Sequence, residues 1–188
     1  MSVMASATRR GEVFTREDLE DTPDDGRRYE VVDGTLIVSA ARGLVHQDAT
    51  LELTVLLRGA CPPEMKVVVG PYAVALGADT EVQPDIVVGR RADFTEREIV
   101  RPQLVVEVLS YSTRLYDTHV KWERFERARI PSYWLVHPSA RPAEAALIVW
   151  ELDEKGRYRE VAKVTGDEPF EATIPFPVTI VPADLVGR

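Results

Sequence analysis

The sequence predicts an α/β or α+β fold in which helices flank a central mixed β-sheet, with an extra N-terminal hairpin before that core and C-terminal antiparallel strands after it. Two observations predict it. Short runs rich in Val, Leu, Ile and aromatic residues, bounded by Gly, Pro and Asp, recur along most of the chain, whereas two longer stretches space their apolar residues as helices do. In the middle of the chain these signals fall in the order helix, three strands, helix, strand. A length of 188 residues, 45% hydrophobic and 29% charged, suits one domain over 1–188 whose core needs no disulfide staples.

The elements follow in order. FTREDLEDTPDDGRRYE opens with a short helix capped by Thr15, with Asp18 three residues on as a weaker relative of the capping box, and ends near Pro23. YEVVDGTLIVS is a hairpin, because Asp33-Gly34 supplies the positive-φ pair of a two-residue turn between Tyr29–Val32 and Thr35–Val38. From His46 to Ala60, the residues Ala49, Leu53, Leu56, Leu57 and Ala60 form one apolar stripe of an amphipathic helix that stops at Cys61-Pro62-Pro63. Three strands are expected next, at 66–76, 83–88 and 104–109. In TRLYDTHVKWERFERARI, Leu115, Trp122, Phe125 and Ala128 share a helix face, and Pro131 stops the helix after Ile130. SYWLVH (132–137) is the following strand. ALIVWELDEKGRYREVAKV pairs two runs across Asp153–Gly156, and FEATIPFPVTI is expected to close the chain as an edge strand interrupted by Pro175 and Pro177.

Composition narrows the setting. The single cysteine, Cys61, excludes an internal disulfide and a multi-cysteine zinc site, and reads as an inert thiol suited to a reducing compartment. MSVMASATRR has no apolar h-region, and no stretch approaches the roughly 18 apolar residues of a membrane span, so a cytoplasmic location is expected. A net charge of −8 weighs against nucleic acid as a partner. The charge is unevenly spread, however: residues 89–150 carry 10 basic and 8 acidic groups, a locally basic segment on an acidic chain.

That segment contains LVVEVL (104–109), an apolar run of the kind buried on both faces of a sheet, with Glu107 in its middle. A buried carboxylate must be protonated, paired or bound to a cation. Asp85 in QPDIVV stands at the mouth of the preceding strand, since Pro84 biases Gln83 to extended backbone. If the two strands are neighbours, both carboxylates face one cavity about 5–8 Å apart. Without a metal, their repulsion is expected to raise at least one pKa; a cation between them would keep both ionised. Mg²⁺, with Mn²⁺ as substitute, suits such a pair, because it takes one or two carboxylates and completes its octahedron with waters and phosphate oxygens. Lys121, in DTHVKWERF, would then orient the attacking water or offset phosphate charge, which describes a phosphodiester hydrolase.

The order of elements and the stretch PDIVV … RPQLVVEVLSYSTRLYDTHVKWERFERARIPSYWLVHP resemble the Uma-type family of restriction-endonuclease-like proteins, whose core is the PD-(D/E)XK nuclease fold. RYEVVDGTLI and the helix at His46 extend the resemblance over nearly the whole chain. It implies metal ligation by Asp85 and Glu107 and a DNA endonuclease activity. In these nucleases the lysine lies two residues after the glutamate, where this chain has Leu109. The Uma-type pattern instead has an Asp and a Lys four residues apart after a Ser-x-Ser-Thr turn, matched by Ser110, Ser112, Thr113, Asp117 and Lys121. Tyr111, Phe125, Arg129 and Ser132 depart from the pattern, and none of these departures removes a proposed metal ligand. The family's Tyr-Glu start makes Glu30 a third acidic candidate.

Each residue also has a structural reading. Asp85 can be a strand-end or turn carboxylate; Glu107 can pair with Arg101 or Arg114; Lys121 can pair with Asp117 in the favourable i, i+4 orientation. Glu30 can be a solvated strand residue. His46 opens its helix as a contact for phosphate or for a carboxylate, or as a partly exposed polar residue. His119 and His137 show no ligand spacing, and Trp122 and Phe125 fall on the core side of their helix. The functional expectation is a Mg²⁺-dependent DNA endonuclease, with a homodimer as the form suited to cutting both strands. The alternative is a catalytically inactive nucleic-acid-binding or scaffolding module on the same fold.

Overall fold

A computed structural model describes residues 5–7, 13–110 and 116–186; for Ala5–Ala7, Tyr116 and Asp117 the description is of the backbone alone. The elements are β1 (Ala5–Ala7), β2 (Arg28–Val32), β3 (Thr35–Ser39), α1 (Leu44–Ala60), β4 (Met65–Val69), β5 (Ala73–Gly77), β6 (Thr80–Val82), β7 (Ile86–Arg90), β8 (Glu98–Ile99) and β9 (Pro102–Val108). They continue as a π-helical segment (Tyr116–Lys121) running into α2 (Trp122–Arg127), then β10 (Ser132–His137), β11 (Ala146–Leu152), β12 (Tyr158–Thr165), β13 (Phe170–Ala172) and β14 (Val178–Ile180).

Two six-stranded sheets carry the fold, in the orders β1-β3-β2-β6-β5-β8 and β12-β11-β10-β9-β7-β4. The second is mixed: β10 runs parallel to β9, while β7, β11 and their outer neighbours pair antiparallel. The β2–β3 hairpin forms as the sequence predicts, with Asp33 at φ 47° and Gly34 at φ 72°. Thr15 and Asp18 form half of their capping box, the Thr15 amide donating to Asp18 Oδ2 at 2.8 Å, although the segment Glu17–Asp21 is a 3-10 helix.

Two expectations are corrected. The run 66–76 is not one strand: Gly70-Pro71 divides it, so that β4 pairs with β7 in the second sheet and β5 with β6 in the first. Pro71 has no amide to continue a ladder, and Gly70 lies so close to the Pro84 carbonyl that a Cβ would stand 2.6 Å from its oxygen. The C-terminal run is likewise two strands, β13 and β14, which pair with each other as a separate two-stranded sheet instead of forming an edge strand. The intervening residues 173–177 contain Pro175 and Pro177, which break the ladder.

Successive side chains of β9 alternate between two cores. Leu104, Val106 and Val108 face Ala49, Leu53 and Leu57 of α1, together with Trp134, Leu147 and Ile180. Val105 faces the opposite way, with Val87, Tyr133 and Leu135, against Val32, Val74 and Val82 of the first sheet and Phe125 of α2. Glu107 has the parity of Val105, so it points between the sheets. Of the stripe expected on α1, Ala49, Leu53 and Leu57 are buried, whereas Leu56 and Ala60 are exposed.

Leu53→Ala should lower the unfolding free energy by about 2–5 kcal/mol, because it opens a cavity between α1 and a close-packed sheet. Urea denaturation monitored by circular dichroism measures the change.

Candidate functional site

The register of the two central antiparallel strands builds the site. Ile86 pairs with Val106 and Val87 with Val105, and the same register continued by one residue sets Asp85 directly opposite Glu107. Residues opposite each other across antiparallel strands share a face, with Cβ atoms roughly 4.5–5.5 Å apart. The two side chains therefore start from the same face of neighbouring strands, and the Val108 amide donates to Asp85 Oδ2 at 2.8 Å. Both residues are buried.

Three further elements converge on the pair. Alternation on β2 turns Arg28, Glu30 and Val32 toward the second sheet. Arg28 donates to Asp85 Oδ1 at 2.7 Å and to the Gln83 carbonyl at 2.8 Å, and the Gln83 amide donates to Glu30 Oε1 at 2.6 Å. From the last turn of the π-helical segment, Lys121 places Nζ 2.7 Å from Glu107 Oε1 and 2.8 Å from Glu30 Oε1, with no exposed surface. His46, in the first turns of α1, sets Nε2 3.1 Å from Asp85 Oδ2, while the Thr50 hydroxyl donates to the His46 carbonyl at 2.8 Å.

All five sequence candidates, Glu30, His46, Asp85, Glu107 and Lys121, thus meet in one buried cluster. The pairing of Glu107 with Lys121 differs from the arginine partners considered above, and Glu30 is buried, not solvated. Phe125 is core, as expected. Ser112 and Thr113 of the turn pattern lie outside the described residues, as does the side chain of Asp117. Arg28 was not singled out in the sequence, although its position two residues before Glu30 on a strand already marks it as sharing that face. Arg42, which donates to Ser110 Oγ at 3.0 Å, stands in a loop without periodicity to mark it.

The electrostatics correct one expectation. Burial pushes the Asp85 pKa upward, but the hydrogen bond with His46 and the positive charges of Arg28, His46 and Arg42 outweigh it and hold the carboxyl well below its ordinary value. The repulsion expected from two bare carboxylates is offset because Arg28 already stands among them. Burial alone would ease a proton off that guanidinium; Asp85, Glu30 and Glu107 reverse the effect and raise its pKa.

Two cavities can be compared by their chemistry. One of about 680 Å³ is lined by Glu17, Glu20, Glu81, Glu96 and Glu98 against Arg16 and Arg97, an excess of acid that repels a polyanion. The other, about 590 Å³, opens onto Asp85 and carries Arg27, Arg28, Arg42 and His46 on its wall. Guanidinium groups are suited to phosphate. The second cavity is therefore the candidate entrance, with Glu30, Glu107 and Lys121 buried behind it.

A mixed sheet with paired carboxylates at its centre and a lysine delivered by the following helix defines the restriction-endonuclease-like class. Residues 16–183 match the Uma2 family, described as "Putative restriction endonuclease", and the chain belongs to that family. Among solved structures, a protein of Anabaena variabilis ATCC 29413, described as "a putative nuclease belonging to DUF820", superposes with a TM-score of 0.63 at 18% identity, over 92% of this chain and 97% of that one, and so shares its fold. No curated protein matches the sequence. Among the described residues, no helix is long and apolar enough to cross a membrane.

Asp85→Asn should destabilise the protein at neutral pH by about 3–5 kcal/mol, because Arg28 loses its buried counter-charge. The folded-state pKa of Asp85 is depressed, so its contribution is fully present above the unfolded value of about 3.9 and is lost as pH falls through the folded one. The stability gap between wild type and variant should therefore narrow below about pH 4. Chemical denaturation across acidic pH measures it, and a constant gap would place the charge pair elsewhere.

Proposed function

We propose that this chain is a single restriction-endonuclease-like domain that hydrolyses DNA phosphodiester bonds with Mg²⁺ as cofactor, with Asp85 and Glu107 as the ligands. The observation that carries the reading is the placement of those carboxylates opposite each other on neighbouring strands, with Lys121 Nζ 2.7 Å from Glu107. The donor set fits the ion. Among the described residues, no group of three or more His, Cys, Asp or Glu is arranged to hold a metal, but Mg²⁺ needs only one or two carboxylates with waters and phosphate oxygens. Glu30, Asp85 and Glu107 supply carboxylate oxygens of the kind such an ion takes, and in the described cluster Arg28 and Lys121 pair with them.

When bound, the ion supplies Lewis-acid polarisation of a phosphoryl oxygen and a more acidic water. The chain's own groups do the rest. His46 and the Val108 amide fix the orientation of Asp85 through Oδ2. Lys121 holds Glu107 and Glu30 in place through Nζ, and offers a charge that offsets negative charge developing on the phosphate. Arg27 and Arg42 stand at the cleft wall to hold the backbone of the nucleic acid, and Arg28 is the group that would yield Asp85 Oδ1 to a bound cation. The engagement of both Asp85 oxygens by Arg28 and His46 favours, as a competing reading, a binding or scaffolding module that keeps the fold without turnover.

Purified protein should nick supercoiled plasmid in Mg²⁺ and not in EDTA, and Glu107→Gln should lower the rate by about 100-fold or more, the scale of losing a group that stabilises the transition state. Folding of the variant is checked by circular dichroism. DNA binding without nicking, by folded wild type in Mg²⁺ or Mn²⁺, would favour the scaffolding module.

A further inference from the structure

On α1, the residues facing away from the sheet form a second apolar stripe. Leu44, Leu51 and Val55 are 76%, 60% and 58% exposed, and Val69, which shares a cleft wall with Leu44 and Leu51, widens the patch. A helix with one face on a core ordinarily presents polar residues on the other. Here Leu44, Asp48, Leu51, Val55 and Arg58 recur at alternating spacings of four and three, the spacing of a seam between packed helices. The inner stripe of Ala49, Leu53 and Leu57 is already used against the second sheet, so the outer seam lacks a counterpart among the described residues.

We propose that this face is the interface of a homodimer, in which α1 packs antiparallel on α1 of a second copy about a two-fold axis midway between Leu51 and Val55. The stripe is complementary to itself in that register. Asp48 and Arg58 lie equally far on either side of the midpoint, so the axis sets each Asp48 against Arg58 of the other copy while Leu51 meets Val55. Neither Asp48 nor Arg58 has an ion-pair partner among the described residues of its own chain. A parallel arrangement would instead stack Asp48 on Asp48 and Arg58 on Arg58, a repulsion at both ends of the seam. The 17 residues of α1 span roughly 25 Å, and a contact of that length, broadened by Val69, is the core of an isologous interface.

The seam is continuous with the candidate entrance. Leu44, Asp48, Leu51 and Val69 form part of the cleft wall that leads to Asp85, so the axis sets the two clefts on either side of one shared ridge. The association itself does not rest on the nuclease reading. Its test is oligomeric state, and a dimer without cleavage would leave this inference standing while removing the other.

Sedimentation velocity of the full chain over a micromolar range should show a concentration-dependent dimer. Leu51→Glu, which occurs twice across the seam, should weaken it by about 100-fold or more in Kd. Asp48→Arg alone and Arg58→Asp alone should each weaken it, and the double variant Asp48→Arg/Arg58→Asp should restore it. The substituted side chains lie outside the core, and thermal melts confirm that each variant folds. A wild type that stays monomeric, including one whose stripe binds DNA or another protein, overturns the proposal. So does a dimer unaffected by Leu51→Glu, or a double variant no tighter than the single ones.

Discussion

Glu30, Asp85 and Glu107 bring three carboxylates into the space between two sheets, where an uncompensated charge costs several kcal/mol. The arrangement persists because each is held by a cation from a different element: Arg28 from β2 on Asp85, and Lys121 from the helix after β9 on both glutamates. These contacts tie the first sheet to the second and to α2, so the fold and the candidate chemistry depend on the same ion pairs. Removing either cation would disturb both at once. A buried charge cluster is weak evidence of stability, since apolar residues of similar volume often serve as well or better. Its presence in this interior points instead to a function that needs the charges.

Arg28, His46 and the Val108 amide between them engage both oxygens of Asp85. Arg28 stands where a cation offsets the carboxylates best, and its guanidinium is held charged by all three of them. Under the proposed reading, a divalent ion held by Asp85 would have to share Oδ1 with Arg28. Affinity for such an ion would then depend on this exchange as well as on the carboxylates, because a ligand shifts an arrangement only by the difference in its interactions with the two states. Val108 and His46 hold Oδ2, which limits how far the carboxylate turns.

Much of this was legible in the sequence, for physical reasons that also mark where legibility stops. Asp85 and Glu107 stand out because a carboxylate within an apolar strand needs a partner, and period-two alternation gives the face on which to seek it. Lys121 was marked by its family spacing, since helical periodicity equally allowed an exposed pair with Asp117. Arg28 escaped because alternation tells which residues share a face but not which faces meet, and the meeting of β2 with the β7–β9 pair is a tertiary fact. The division at Gly70-Pro71 escaped for a similar reason: the run on either side is apolar throughout, and what separates β4 from β5 is their assignment to different sheets. On α1, the inner stripe was read correctly in Ala49, Leu53 and Leu57, whereas the apolar outer residues blurred its edge at Leu56.

The central claim is that Asp85 and Glu107 form one cation site whose occupation displaces Arg28. Calorimetric titration of Mn²⁺ into wild-type protein and into Arg28→Lys tests it most directly, without reference to cleavage. Lysine keeps the charge but lacks the planar fork that bridges Asp85 and the Gln83 carbonyl. The account predicts one site per chain in wild type and tighter binding in Arg28→Lys, since the resident competitor is weakened. Absence of a site in wild type, or an affinity unchanged by loosening Arg28, would contradict it.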